Sequence, residues 1–408
     1  MQIDEDIQKI HDFGKKLRQP ATIDYLKSLV SWARDIKAGK QVTPPNVPLI
    51  SINMDITTGC DHACGHCVDD DILNSGKRLK FEHVTNMIDT LQQDGLRSVI
   101  LIGGGEPTLH PNFEEIVTHI KSKNLQLGIV SNGGHISRIE NIAHTLTKGD
   151  WVRFSVDAAT NETYQKIHWL TSNRKPTNSL LDVLNGGARL IKKNPLIELG
   201  YSYVIIWNGS EYRGRLLCDN VDEISGAVQN ARKYGFTYFS LKPCLIKFPV
   251  EGETLMYMSN DKDLKNVVER INHSIDAAKK DAGGVRVVLS QNLQAMLQFK
   301  LDTLRKQPDI CYAGFLRQVI HPAGIFHCPA YRGDSRACVG KADSYYNNEQ
   351  LLNAKNSTVN NLLNFHATET CKNIACFYNG LNNYIQQLVD DNYDLDQLKI
   401  EDIQDFFF

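Results

Sequence analysis

Between positions 60 and 67 the chain reads Cys60-Asp-His-Ala-Cys64-Gly-His-Cys67, three thiols and two imidazoles in one short loop. Side chains of these types are soft metal ligands or reactive thiols. On spacing alone, zinc, an iron–sulfur cluster, a disulfide and a reactive thiol pair all stay open. A structural zinc ion would draw His62 or His66 as fourth ligand, but such sites usually use paired C-x2-C or C-x2-C/H-x3-H units. Four ligands from one tight loop are also hard to wrap into a tetrahedron. A cubane [4Fe–4S] cluster usually takes four thiolates, so three leave one iron open to another ligand.

The chain of 408 residues holds ten cysteines, and they are not scattered. Cys218 and Cys244 stand alone, while Cys311, Cys328, Cys338, Cys371 and Cys376 fall near the C-terminal end. The opening stretch, MQIDEDIQKIHDFGKKLRQP, is charged and lacks the apolar core of a signal peptide. No apolar run is long enough to span a bilayer. A cytoplasmic setting is therefore expected, where a disulfide framework is disfavoured and metal ligands or catalytic thiols are favoured. The net charge of −2 and the lack of a basic tract point away from nucleic acid and from anionic membrane.

Elements that could position these thiols follow a rhythm. LISINMDI, SVILIGGG, LQLGIVSNGG, DWVRFSVDA, IELGYSYVII and FTYFSLKPC read as strands, and helical periods such as KFEHVTNMIDTLQQDG and SLLDVLNGGARLIKK lie between them. Six strand–helix alternations over residues 48–245 predict βαβ units on a parallel sheet. Glycine and polar residues collect at the C-terminal ends of the strands, where α/β folds carry their sites. Residues 1–47 read as a helical segment and residues 246–310 as connecting helices with one possible extra strand, VRVVLS. Residues 311–408 read as a cysteine-rich α+β region opening on the hairpin QVIHPAGIFHC.

At this point the sequence resembles the radical S-adenosylmethionine (SAM) superfamily, whose signature is C-x3-C-x-aromatic-C after the first strand of a partial (β/α)6 TIM-like barrel. Cys60, Cys64 and Cys67 match it, with His66 in the usual aromatic position. GGGEPTLHP, SNGG and FSVDAAT then end the second, third and fourth strands, where the family has its GGE motif, a ribose or methionyl contact, and an S-x-D stretch. The resemblance implies a [4Fe–4S] cluster on Cys60, Cys64 and Cys67 that binds SAM and cleaves it to a 5′-deoxyadenosyl radical. It further implies SAM contacts from Gly104, Gly105, Glu106, Ser131, Asn132, Ser155 and Asp157. Glycine there would let the backbone lie against the methionyl amino group. His62 and His66 become ordinary loop residues. An arginine for the SAM carboxylate is expected near the fourth or fifth strand, and Arg153 and Arg174 are candidates without a choice between them.

Cys311, Cys328, Cys371 and Cys376, with the hairpin between the first two, resemble the SPASM and twitch auxiliary-cluster extensions. The four-thiolate twitch fits better, because a late C-x2-C-x5-C run is missing. A zinc ion on the same four thiols is the alternative. Cys338 is left over and reads as a small buried residue. The implied function is hydrogen abstraction from a small molecule or a peptide, with net oxidation or bond formation, fed by a flavodoxin- or ferredoxin-like electron donor. Residues 1–47 are short for a complete peptide-recognition domain. Cys244, ending the sixth strand, could instead donate a hydrogen atom in a radical epimerase of a sugar, aminocyclitol or peptide. An iron–sulfur scaffold or redox sensor is the non-enzymatic alternative.

Overall fold

The computed structural model describes residues 12–40, 43–169, 178–248, 252–255 and 261–408. Its main sheet has ten strands: β1 Ser51–Met54, β2 Ser98–Leu101, β3 Gln126–Ser131, β4 Trp151–Ser155, β5 Glu198–Ile205, β6 Tyr238–Pro243, β7 Arg286–Leu289, β8 Arg317–His321, β9 Gly324–Phe326 and β10 Cys338–Gly340. Their order is β7-β6-β5-β4-β3-β2-β1-β8-β9-β10. Neighbours from β7 through β1 to β8 are parallel, and only the two pairs involving β9 are antiparallel. The six expected strands form the middle of an open barrel, and VRVVLS extends it as β7.

The strands are held by their outer faces. Ile52, Met54, Val99, Leu101, Leu127, Ile129, Val152, Phe154, Leu199, Tyr201, Phe239 and Leu241 are all fully buried in one core. Helices Phe81–Asp94, Phe113–Ser122, Leu180–Lys193 and Ile224–Lys233 supply the apolar stripes that meet them. Leu180–Lys193 starts with a capping box in which Ser179 and Asp182 satisfy each other's backbone N–H groups.

Two features differ from the sequence expectation. β8 lies beyond residue 311, yet it pairs in parallel with β1, Ser51 opposite Arg317 and Met54 opposite Ile320, so the C-terminal region continues the barrel sheet. The segment after Cys244 forms a hairpin, Leu245–Phe248 with Gly252–Leu255, that no local pattern announced. The helices Phe13–Leu17 and Ile23–Lys37 pack on Asn379–Asp390 in a second core with Trp32, Tyr312 and Phe315.

The C-terminal tail, unassigned from its pattern, closes the N-terminal end of the strands. Ser98 Oγ donates to Phe406 O at 2.7 Å, Gln126 Nε2 donates to Gln404 O at 2.9 Å, and Phe406 N–H donates to Gln126 Oε1 at 2.9 Å. The Phe407 ring meets Trp151 edge-on at 5.4 Å. Gln126→Ala removes both side-chain bonds to the tail and is expected to cost about 1–3 kcal/mol. Limited proteolysis checks it, with faster cleavage after Asp405 and unchanged far-UV circular dichroism.

Candidate metal and cofactor site

The first cysteine loop is docked on a helix end. Ala63 N–H and Gly65 N–H donate to His168 O and Ile167 O at 2.8 and 3.3 Å, taking up carbonyls that the last turn of Asn161–His168 leaves unpaired. Cys60, Cys64 and Cys67 lie near enough for Cys67 and Cys60 to disfavour the Cys64 thiolate after burial has done so, and for Cys60 to act likewise on Cys67. Burial, then Glu106, pushes the Cys60 thiol up to about 12. Three half-buried thiols whose thiolates disfavour one another are a donor set that a cation would stabilise, so the residues fit the implied cluster.

The histidines of this loop are not ordinary loop residues, which corrects the expectation. His62 is buried between Tyr164, His168 and Trp169, its ring 4.3 Å from that of Trp169. His66 Nε2 lies 3.6 Å from Asp157 Oδ2. His168, which no motif announced, donates from Nε2 to Val156 O at 2.9 Å and presents Nδ1 to Cys64 Sγ at 3.2 Å. The ligand atoms of His62, Cys64 and His168 lie within 4.8 Å of one another, so a mixed nitrogen–sulfur site also exists geometrically. It uses only one of the three thiols.

The GGGE loop after β2 packs against the cysteine loop through backbone. Glu106 N–H donates to Gly59 O at 2.7 Å. A Cβ on Gly105 would stand 2.5 Å from Thr57 O and 2.6 Å from Gly59 O, so glycine is required there by the chain itself. The Glu106 carboxylate is buried and accepts from Thr108 N–H, Thr108 Oγ1, Ser131 Oγ and Asn132 N–H at 3.1, 2.6, 2.9 and 2.7 Å. Burial raises its pKa against these bonds. Asn132 Nδ2 in turn donates to Asp61 Oδ1 at 2.7 Å. Glu106, Ser131 and Asn132 thus form one network joining the ends of β2 and β3 to the cysteine loop. Asp157 has a left-handed backbone (φ 56°) and accepts Val204 N–H at 2.6 Å. Burial opposes its ionisation, but His66, His168 and Val204 N–H hold its pKa below the ordinary value. Ser155 sits level with Ser202 on the inner face of the sheet. Gly104 packs against Asp55 and His321.

One residue that sequence reasoning missed ties these parts together. Arg332, four positions after Cys328, is buried with Nε 2.9 Å from Oδ2 of Asp55, which follows β1, and Nη1 in a short contact with Oδ2 of Asp69, which follows the cysteine loop. Asp69 Oδ2 also accepts Gly104 N–H at 3.2 Å. Lys247 Nζ, on the unforeseen hairpin, donates to Arg332 O at 2.9 Å. Burial pushes Asp55 up to about 7 against the pull of Arg332. For Asp69, burial is outweighed by Arg332 and Gly104 N–H, and its pKa falls. No motif marks a lone arginine in a loop.

The second set converges as well. Cys311, Cys328, Cys371 and Cys376 line one cavity of about 60 Å³, room for more than a single water, together with Glu253, Arg317 and Tyr378. Burial, then Cys311 and Cys376, raises the Cys328 thiol, and burial pushes Cys376 up to about 12 despite N–H groups of Tyr378 and Asn379. Four thiols lining one cavity suit a four-thiolate metal group. Cys338 is not among them, since its Sγ points to Gly340 O at 3.5 Å on β10. All ten cysteines are unpaired with each other. Cys218 is half-buried in a loop, and Cys244 is fully buried with Sγ 3.7 Å from Leu245 O. Arg174 lies outside the described residues. Among the described residues no helix is long and apolar enough to cross a membrane.

An open parallel β/α barrel with a three-thiol loop after its first strand and four further thiols beside it defines a metal-cluster-bearing enzyme fold. The sequence profile of the Radical SAM superfamily matches residues 54–192, the stretch that carries the Cys60, Cys64 and Cys67 loop. Over 168 residues the chain is 27% identical to the probable GTP 3′,8-cyclase of Methanothermobacter marburgensis, covering 40% of this chain and 54% of that one. Over 154 residues it is 29% identical to the mycofactocin maturase MftC of Mycobacterium tuberculosis, covering 36% of this chain and 38% of that one. The matches thus span about half or less of these relatives. Among solved structures, SuiB of Streptococcus suis bound to its precursor peptide SuiA superposes with a TM-score of 0.55 at 14% identity, over 78% of this chain and 68% of that one, a likeness of fold.

Two outcomes are expected. Gly105→Ala should displace the cysteine loop, leaving the fold intact by circular dichroism but reducing iron bound by the first site after reconstitution. Arg332→Met strands Asp55 and Asp69 as buried, unpaired carboxyls and should cost about 3–5 kcal/mol in denaturant unfolding at neutral pH, with part of the loss recovered by Arg332→Lys.

Proposed function

We propose that the protein is a SAM-cleaving radical enzyme that removes a hydrogen atom from a peptide or small-molecule substrate, leading to net oxidation or bond formation. When bound at Cys60, Cys64 and Cys67, the cluster supplies the electron that splits SAM into methionine and a 5′-deoxyadenosyl radical. Cys311, Cys328, Cys371 and Cys376 would hold an auxiliary [4Fe–4S] cluster as an electron acceptor, and a flavodoxin- or ferredoxin-like protein would reduce the first. The carrying observation is the convergence of two separate thiol sets, three at a strand-end loop and four around one cavity. The chain's own part is to bind and to exclude water. Glu106 and Asp157 hold the loops in place, and the Arg332 cluster binds the auxiliary region to them. A peptide substrate is supported by the maturase among the relatives and by SuiB with its precursor peptide, and a small molecule by the cyclase.

A redox-neutral epimerisation is the second reading. Cys244 ends β6 with its thiol kept protonated, first by burial and then by Asp157, and an S–H bond is what a hydrogen-atom donor must keep.

Anaerobic reconstitution with dithionite and SAM should release 5′-deoxyadenosine, and absence of release would sink the enzyme reading in favour of a scaffold or sensor. About eight irons per chain support two cubanes, whereas about four with one zinc support a zinc extension. Cys244→Ala should leave deoxyadenosine release intact and stall product formation if the thiol closes the cycle, and unchanged turnover removes that role.

A further inference from the structure

The inner face of the barrel is polar where the outer face is not. Along β4 and β6 the inward residues Trp151, Arg153, Ser155 and Tyr238, Ser240, Lys242 are partly exposed, while the alternate residues are buried under the helices. The parallel register sets Ser155 beside Ser202 and Ser202 beside Ser240, a row of hydroxyls across β4, β5 and β6. Ser202 Oγ is buried and without a hydrogen-bond partner. The tail through Phe407 packs on Trp151 at the lower end of the barrel, and the Cys60 to Cys67 loop follows the upper end of β1.

Two cations lie on this face. Arg332, by contrast, is paired with Asp55 and Asp69. Among the described residues, Arg153 and Lys242 have neither an ion-pair partner nor a side-chain hydrogen bond, and Arg153 Nε is buried. Arg153 contacts only the Trp151 ring, 5.3 Å from its centroid. The two cations repel: burial, then Arg153, lowers Lys242 to about 8, while Asp157 and Glu253 draw it back from a distance. Half-buried cations with no hydrogen-bonded counter-ion are relieved by an anion that binds between them.

We propose that this face binds an oxyanion, a carboxylate or a phosphate, belonging to the substrate, with Lys242 and Arg153 as its charge partners and the serine row as its hydrogen-bond donors. The word substrate rests on the radical SAM function proposed above, but the anion site rests on these side chains alone. SAM has a carboxylate of its own, so the test separates the two sources. Reconstituted protein is melted anaerobically in inorganic phosphate, in acetate, and in chloride of equal ionic strength. Phosphate or acetate, not chloride, should raise the midpoint by about 1–2 °C. Lys242→Met and Arg153→Gln should abolish the rise, Lys242→Arg should keep it, and Lys242→Met without anion should melt no lower than wild type, because the lost charge was unpaired. No anion-dependent rise in wild type, or a lower midpoint for Lys242→Met, overturns the proposal. SAM affinity by equilibrium dialysis should stay within about twofold in Lys242→Met, and a fall of about tenfold gives the cations to SAM and overturns the substrate assignment. Deoxyadenosine release is read in the same wild-type samples, so its absence beside an intact anion shift defeats the radical chemistry alone.

Discussion

The buried contact of Arg332 with Asp55 and Asp69 is the interaction on which the site depends. Each partner comes from a different part of the chain: the loop after β1, the end of the cysteine loop, and the loop after Cys328. Gly104 N–H joins through Asp69, and the guanidinium fills the space beside Gly103, where a Cβ would stand 2.7 Å from Nη1. A buried ion pair adds little net stability compared with apolar packing, but losing one partner is severe. Its consequence here is placement. The GGGE loop cannot shift without stranding a charge, and the region between the two thiol sets is locked at the point where it meets the barrel.

The same logic explains why carboxylates at the strand ends are not free acceptors. Glu106 spends its oxygens on four donors within the protein, and Asp157 on Val204 N–H, with His66 and His168 nearby. Acids in such settings act as struts. What remains available around the first loop is sulfur, and what remains available in the barrel interior is positive charge and hydroxyl. That division places soft ligands at the mouth and hard, anion-seeking groups deeper in, a separation suited to a metal cluster above and a polar molecule below.

Local periodicity made the six central strands and their helices legible, because each strand buries one face under an amphipathic helix and the pattern survives in a window of a few residues. VRVVLS could be read as a strand for the same reason. The pairing of Leu245–Phe248 with Gly252–Leu255 could not, since its meaning lies in contacts such as Lys247 with Arg332 rather than in its own pattern. The thiols were legible because cysteine is rare and its spacing informative. His168 and Arg332 were not: each is a single residue whose role arises from a partner more than a hundred positions away. The role of Gly105 was half legible. A close backbone approach could be read from glycine, but the partner turned out to be the carbonyls of Thr57 and Gly59.

Topology sets how the C-terminal region joins the barrel. β1 and β8 are far apart in sequence but parallel neighbours in register, so their C-terminal ends, Met54 and Ile320, emerge side by side. The chain leaving β1 makes the Cys60 loop, and the chain leaving β8 turns back along antiparallel β9, with Phe326 level with Val319, before it reaches Cys328. The parallel pairing also removes β1 as an exposed edge, so the strand feeding the cysteine loop is hydrogen-bonded on both sides. A loop that must hold three thiols in register for one metal group needs an anchor of that kind. Order in the metal-binding loop is therefore set partly by a strand that follows it by more than two hundred residues.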